Sequence, residues 1–286
     1  VKNTLLLLLS TLLALASCTS TSPPDPKPVD PVVVTPPPHP DCNAMKETHA
    51  HTPGTAGQKT CTPVDPDLAR TKSPFAALKI WGDKTLFWKK DEKLTIRFLD
   101  GSKNQRQKAW DRFKHLDDIC GISFELTDKA PSDIRVSFAG DGHWSYVGKT
   151  CRQIEEPEPT MNIQLVNSDS AEEWDRVALH EMLHALGFNH EQQHPGFEIP
   201  WDEEKVIAEY AKTQGWSEEQ TRIQVLNREN PRQFFGSGYD SNSIMHYPIP
   251  ARLTKGGYSV GWNSQMSSCD IVWLQRAYPI QANDVP

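Results

Sequence analysis

Apolar and polar residues alternate from Leu94 through Ile96 to Phe98, which turns one face of a strand inward. After the Gly101-Ser102 turn the period changes. Ala109, Phe113, Leu116 and Cys120 recur at helical spacing and predict an amphipathic helix lying on a sheet. Alternation returns in Ile122-Ser123-Phe124-Glu125-Leu126 and Ile134-Arg135-Val136-Ser137-Phe138, and Met161 to Leu165 reads as a shorter strand. The predicted order is β-α-β-β-β, with regular structure beginning after Trp81. Ser170-Ala171-Glu172-Glu173 has the form of a capping box. The apolar face that follows, Val177, Ala178, Leu179, Met182, Leu183, Ala185 and Leu186, predicts a helix that Gly187 is placed to end. Further helices are predicted near Asp202 to Gln214, Ser217 to Asn227 and Ser267 to Tyr278. This pattern defines the α+β class and one domain of about two hundred residues.

The segment His180-Glu181-Met182-Leu183-His184-Ala185-Leu186-Gly187-Phe188-Asn189-His190-Glu191 carries the chemistry. Residues four apart share a helix face, so His180 and His184 can aim their imidazoles at one ion. Glu181 lies one position along, within reach of water on that ion. Gly187 tolerates positive φ, so the chain can leave the helix sharply and bring His190 round as a third ligand. Three neutral nitrogens leave a coordination position open, as in catalytic rather than structural zinc sites. Five fixed positions of rare residue types arise by accident in roughly one sequence in a hundred thousand. One zinc ion per chain is expected.

Composition adds an address. Lys2 precedes an apolar run from Leu5 through Leu15, too short for a stable span, so residues 1–17 read as a signal peptide. Leu15-Ala16-Ser17-Cys18 resembles the lipobox of bacterial lipoproteins, which makes Cys18 the lipidation site; a plain secretory peptide cut nearby is the alternative. Residues 18–41 are dense in proline and form an extended tether. Residues 42–75 are a linker or pro-segment-like region, in which the spacing of Cys42 and Cys61 suits a small disulfide loop around His49 and His51. Residues 76–286 are the catalytic domain. The net charge of −7, with no basic run, excludes nucleic acid as a partner. With Cys18 lipidated, Cys42, Cys61, Cys120, Cys151 and Cys269 remain, and at least one lacks an intramolecular partner.

The extended motif with Phe188 and Glu191, followed by Ser243-Ile244-Met245-His246-Tyr247, resembles the astacin branch of the metzincin zinc peptidases, and bacterial members look closest. Trp144-Ser145-Tyr146-Val147-Gly148 and Tyr239-Asp240 extend the likeness, which runs from about Trp81 to Tyr278. The resemblance implies a twisted mixed sheet with two long helices, the zinc-motif helix in a cleft, and a smaller irregular C-terminal subdomain. It makes Met245 the methionine of the turn beneath the metal and Tyr247 a phenol that contacts zinc at rest. It also implies that Met161 to Leu165 is a sheet edge to which substrate can add, and that Glu191 pairs either with an N-terminus freed by a second cleavage near residues 62 to 80 or with another cation.

Departures from the pattern carry information too. His143 stands where many animal members have a cysteine, so a second bridge is absent, whereas the resemblance implies a Cys120 to Cys269 bridge. Gln192-Gln193-His194-Pro195 lacks the arginine common in animal members, so no cleavage rule transfers. Phe138-Ala139-Gly140-Asp141 matches a zinc-capping pattern of astacin prosegments, but its place after a strand inside the domain makes it a strand-to-turn junction.

The expected activity is that of an exported zinc metalloendopeptidase, monomeric, with Glu181 as general base, acting on protein or peptide substrates. Its expected location is the membrane, through a lipid on Cys18, at the outer membrane or cell surface, with extracellular release by a second cleavage. The competing account is an inactive zinc-containing lipoprotein that binds peptides or surfaces; a base beside an open metal position argues against it.

Overall fold

The computed structural model describes residues 61–64, 86–90, 92–228 and 238–280. The signal segment, Cys18, the proline-rich tether, Cys42, His49 and His51 lie outside the described residues.

The central core follows from the alternating segments. Strand β2 (Lys93–Phe98) buries Leu94 and Ile96 and is sandwiched in parallel between β3 (Ser123–Leu126) and β4 (Ile134–Ser137), so that Ile96 faces Leu126 on one side and Ile134 on the other. The crossover is helix α1 (Lys103–His115), started by a full capping box between Ser102 and Gln105. A single 3-10 turn, Leu116–Asp118, carries its apolar row on to Cys120. Strand β6 (Met161–Ile163) pairs in parallel with β4.

Three expectations about strands are overturned. His143–Tyr146 is a strand, β5, antiparallel to β6. Cys61–Val64 is a strand as well, β1, parallel to β5, so regular structure precedes Trp81. The sheet order is β1-β5-β6-β4-β2-β3. Met161–Ile163 is therefore interior rather than an edge, because β5 folds back onto its outer side. Phe138 to Asp141 is the junction expected, a turn between β4 and β5 held by Asn162, whose amide bridges Gly140 N–H and the Gly142 carbonyl.

Helix α2 (Ala171–Ala185) packs against α1, β1, β5 and β6. Ser170 caps it by accepting from Glu173 N–H, but the second half of the expected box does not form, because the Glu173 carboxylate turns to Arg176. Beyond it come α3 (Glu203–Gln214), α4 (Glu218–Thr221), which continues into a π turn at Arg222–Leu226, and α5 (Ser268–Ala277). The main core joins the sheet, α1, α2 and Met245; a second cluster joins Val206, Tyr210, Val225, Leu253 and Tyr247. The turn at 243–247 thus straddles two cores. Cys120 and Cys151 are buried free thiols, so the Cys120 to Cys269 bridge does not form.

Candidate metal centre

Nearly every side chain of α2 from Trp174 onward is buried, so the helix runs through the interior rather than over it. A buried helix end needs partners for its last carbonyls. The Gly187 and Phe188 N–H groups donate to the His184 and Leu183 carbonyls at 2.8 and 3.0 Å, and Trp88 Nε1 donates to the Ala185 carbonyl at 2.7 Å. The Tyr278 hydroxyl donates to the Leu186 carbonyl. Gly187 has φ +100°, and a Cβ there would fall 2.5 Å from Phe87 Cδ1, so both its conformation and its neighbour require glycine.

That turn brings His190 back to the helix. One ligand nitrogen from each of His180, His184 and His190 lies within 4.8 Å of the other two. His180 Nδ1 donates to the Ile244 carbonyl at 2.8 Å and His184 Nδ1 to the Phe188 carbonyl at 2.7 Å. Carbonyls accept only, so both rings carry their hydrogen on Nδ1 and present Nε2 as a lone pair. Burial lowers all three imidazoles below their ordinary pKa, His184 to about 4, which keeps them neutral and able to ligate. His180 Nε2 is buried without a protein hydrogen-bond partner, and His184 Nε2 and His190 Nε2 face each other at 3.1 Å. Tetrahedral zinc separates its nitrogen ligands by about 3.3 Å, so the donor set fits that ion. Glu181, next to His180, is fully buried.

Two successive carbonyls of the 243–247 turn hold the arms of the site: Ile244 accepts from His180, and Met245 accepts from Glu191 N–H at 3.0 Å. The turn itself hangs on Asp270, which the sequence reading missed. Its carboxylate accepts from Ser243 Oγ at 2.6 Å, Ile244 N–H at 2.8 Å and Ser267 N–H at 2.9 Å. The Ser267-x-x-Asp270 capping box was the available signal. Glu191 does not face a cation among its described partners; Oε1 accepts from Asp240 N–H at 2.8 Å, and burial first, then Asp270 and Asp240, raise its pKa well above the usual carboxylate range. The Tyr247 ring lies 4.1 Å from that of His190 and is buried. In place of the absent arginine, Gln193 Nε2 donates to the carbonyls of Ile223 and Asn227 at 2.6 and 3.1 Å.

β5 flanks the zinc-motif helix. His143 on it is buried, accepts from Gln164 N–H at 3.1 Å through Nδ1, and helps to depress His180. Its outer side is taken by β1, with Cys61 in register with His143 and Val64 with Tyr146.

A mixed sheet of this order, a long helix bearing paired histidines, and a methionine turn that braces them together make a metzincin-like α+β fold. Within that class the chain belongs to the astacin family: the model for Astacin, a peptidase family, matches residues 80–278. Myroilysin is similar in structure, with a TM-score of 0.68 and 34% identity over 70% of this chain and 98% of its own. The high choriolytic enzyme 1 of the medaka fish Oryzias latipes, a hatching enzyme zinc-protease, shares the fold at a TM-score of 0.50 and 19% identity, over 72% of this chain and all of that one. The zinc metalloproteinase dpy-31 of Caenorhabditis elegans is 29% identical over 204 residues, 64% of this chain. The chain spans 31% of the length of that curated relative. Among the described residues no helix is long and apolar enough to cross a membrane.

Proposed function

We propose that this chain is an exported zinc endopeptidase that cuts protein or peptide substrates, made as a bacterial lipoprotein anchored through Cys18 and carried on its proline-rich tether. The observation that carries the reading is the convergence of three neutral imidazoles, two of them tautomer-fixed, beside a buried carboxylate. His180, His184 and His190 would hold zinc, which when bound acidifies a water and polarises the scissile carbonyl. Glu181 takes the proton of the attacking water and returns it to the leaving amine. The Tyr247 phenol donates to the carbonyl oxygen as negative charge develops there. Ile244 and Phe188 keep two of the rings oriented, and Met245 braces the segment that carries the third.

The extended substrate adds to β5, the strand beside the zinc-motif helix, in place of β1. It follows that the chain with β1 seated is latent, and that residues 42–75 act as a pro-segment whose removal frees the edge. The name of one relative, a zinc metalloproteinase, supports the reaction class.

The test compares the zinc-loaded fragment from Thr19 onward with its Glu181→Ala variant on a diverse peptide mixture, read by mass spectrometry, before and after cleavage between residues 65 and 80. New termini in the parent alone, abolished by a chelator, support the reading. Their absence in both proteins after that cleavage refutes it.

A further inference from the structure

Tyr247 is held by more than its ring. Its N–H donates to Gln192 Oε1 at 3.0 Å, and its carbonyl accepts from His246 Nδ1 at 2.6 Å. The second bond fixes a direction. Because a carbonyl has only lone pairs, His246 carries its hydrogen on Nδ1. Burial lowers this ring to about 4, so it is neutral and Nε2 is a bare acceptor. The Tyr239 hydroxyl, 2.6 Å from Nε2, therefore donates, and its oxygen takes the hydrogen of the Tyr258 hydroxyl at 2.7 Å. Tyr258, Tyr239 and His246 form a one-way chain that ends on the backbone of Tyr247.

Gln192 works from the other side. It is two residues beyond His190, in the single turn Glu191–Gln193, and its Nε2 donates to the Gln224 carbonyl at 3.4 Å in the π turn. Both ends of its amide are thereby assigned, with oxygen toward Tyr247. One side chain ties the segment carrying the third histidine to the residue whose phenol lies over that histidine.

We infer that Gln192 and His246 are positioning residues for Tyr247, clamping its two backbone polar groups so that the phenol stays registered on His190. The inference rests on the proposal that Tyr247 serves the reaction. Neither residue touches substrate; each acts through the phenol. A clamp fixes Cα, so the phenol reorients only about its own side-chain bonds, and the oxygen returns to one place after each turnover. Misplacing a donor by a fraction of an ångström costs about tenfold, less than the hundredfold of a full ångström.

Gln192→Met, Tyr247→Phe and the double variant are compared as zinc-loaded enzyme in the form found active above. Gln192→Met is expected to lower kcat about tenfold with KM within about twofold, and to cause no further loss in the Tyr247→Phe background. In the metal-free full chain the Tyr247 amide hydrogen is expected to exchange about tenfold faster in Gln192→Met. Gln192→Glu keeps the acceptor oxygen and is expected to stay within about threefold of the parent in both readouts. Equal kcat losses in the two backgrounds, or unchanged amide exchange in Gln192→Met, overturn the inference. Full kcat in Tyr247→Phe alone removes the role of Tyr247 and the inference with it, an outcome distinct from equal losses.

Discussion

Glu191 donates its backbone N–H to the carbonyl of Met245 at 3.0 Å, and one residue earlier in the same turn the Ile244 carbonyl takes His180 Nδ1. The methionine turn is thus bonded to the segment of the third histidine and to the ring of the first. Since Met245 packs in the main core and Tyr247 in the second, whatever holds this turn holds the site across two cores.

What holds it is Asp270, and its titration gives a test. Burial is the largest influence and raises the carboxyl from 3.8 to about 6, against the bonds from Ser243, Ile244 and Ser267. A raised folded pKa means that the native state binds the extra proton between about pH 4 and 6. The associated stability is full below the unfolded pKa and is lost as pH rises through about 6, a change of about 3 kcal/mol. Asp270→Asn removes the titration while its amide oxygen still accepts the two N–H groups. Denaturation at pH 4 and 7 is expected to show the parent losing about 2 kcal/mol relative to Asp270→Asn, because pH 4 already lies above the unfolded pKa. A constant gap between the two proteins contradicts this.

The ligand set was legible because its spacing is local: His180, His184, Gly187 and His190 span eleven residues of one helix and its exit turn. The alternating β2, β3 and β4 were legible for the same reason. β5 was not, since in the short His143-Trp144-Ser145-Tyr146 it is the polar His143 and Ser145 that are buried while Trp144 is half-buried, the reverse of the usual pattern. Nor was β1, where Cys61-Thr62-Pro63-Val64 carries the proline that usually argues against a strand, and which an edge accepts. Strand order is set by pairing between distant segments, so Met161–Ile163 was read as an edge although β5 covers it. Gln192, His246 and Asp270 reach their partners through folded geometry that no periodicity encodes.

Zinc binding is expected to depend little on pH near neutrality. All three imidazoles are held below their ordinary pKa by burial, so at pH 6 they are already neutral. An exposed triplet titrating near 6.5 would weaken about seventyfold at pH 6 through proton competition. Competition titration with a chromophoric chelator at pH 8 and pH 6 is expected to give affinities within about threefold of one another. A seventyfold drop would mean that the rings are solvated.

Gly187→Ala is expected to cost about 2 to 4 kcal/mol, because φ +100° is strained for alanine and the new methyl meets the Phe87 ring. The effect reaches the metal, since Phe188, whose carbonyl orients His184, is the next residue. Zinc affinity is expected to fall about ten- to a hundredfold. Unaltered thermal stability with unaltered affinity would contradict the assignment of this turn.

Cys120 and Cys151 are expected to resist alkylation in the native state. Burial raises their thiols to about 11 and about 12, so the reactive thiolate is scarce at pH 8. Iodoacetamide is expected to modify both only after denaturation, read by peptide mass. Rapid native labelling of either would show that the packing around α1 or the Gly148–Gln153 turn opens readily.

The pairing of β1 with β5 fixes what activation has to accomplish. A four-residue strand makes few backbone bonds, each worth about 0.5 to 1.5 kcal/mol net, so its hold totals a few kcal/mol, near a millimolar dissociation constant for a free peptide. On the same chain the effective concentration is itself of millimolar order, which seats the strand in about half of the molecules, against almost none for a free peptide at micromolar concentration. Severing the connection is therefore sufficient. Once a protease site engineered between residues 65 and 80 is cut and the protein diluted to micromolar concentration, β1 is expected to leave and activity to rise about twofold without further trimming. A synthetic peptide of residues 58–67, with serine at position 61 to prevent thiol ligation of zinc, is expected to inhibit the cut enzyme only near millimolar concentration, where a scrambled sequence does not. Activity in the uncut chain equal to that of the cut one would show that β1 does not cover the edge that substrate uses.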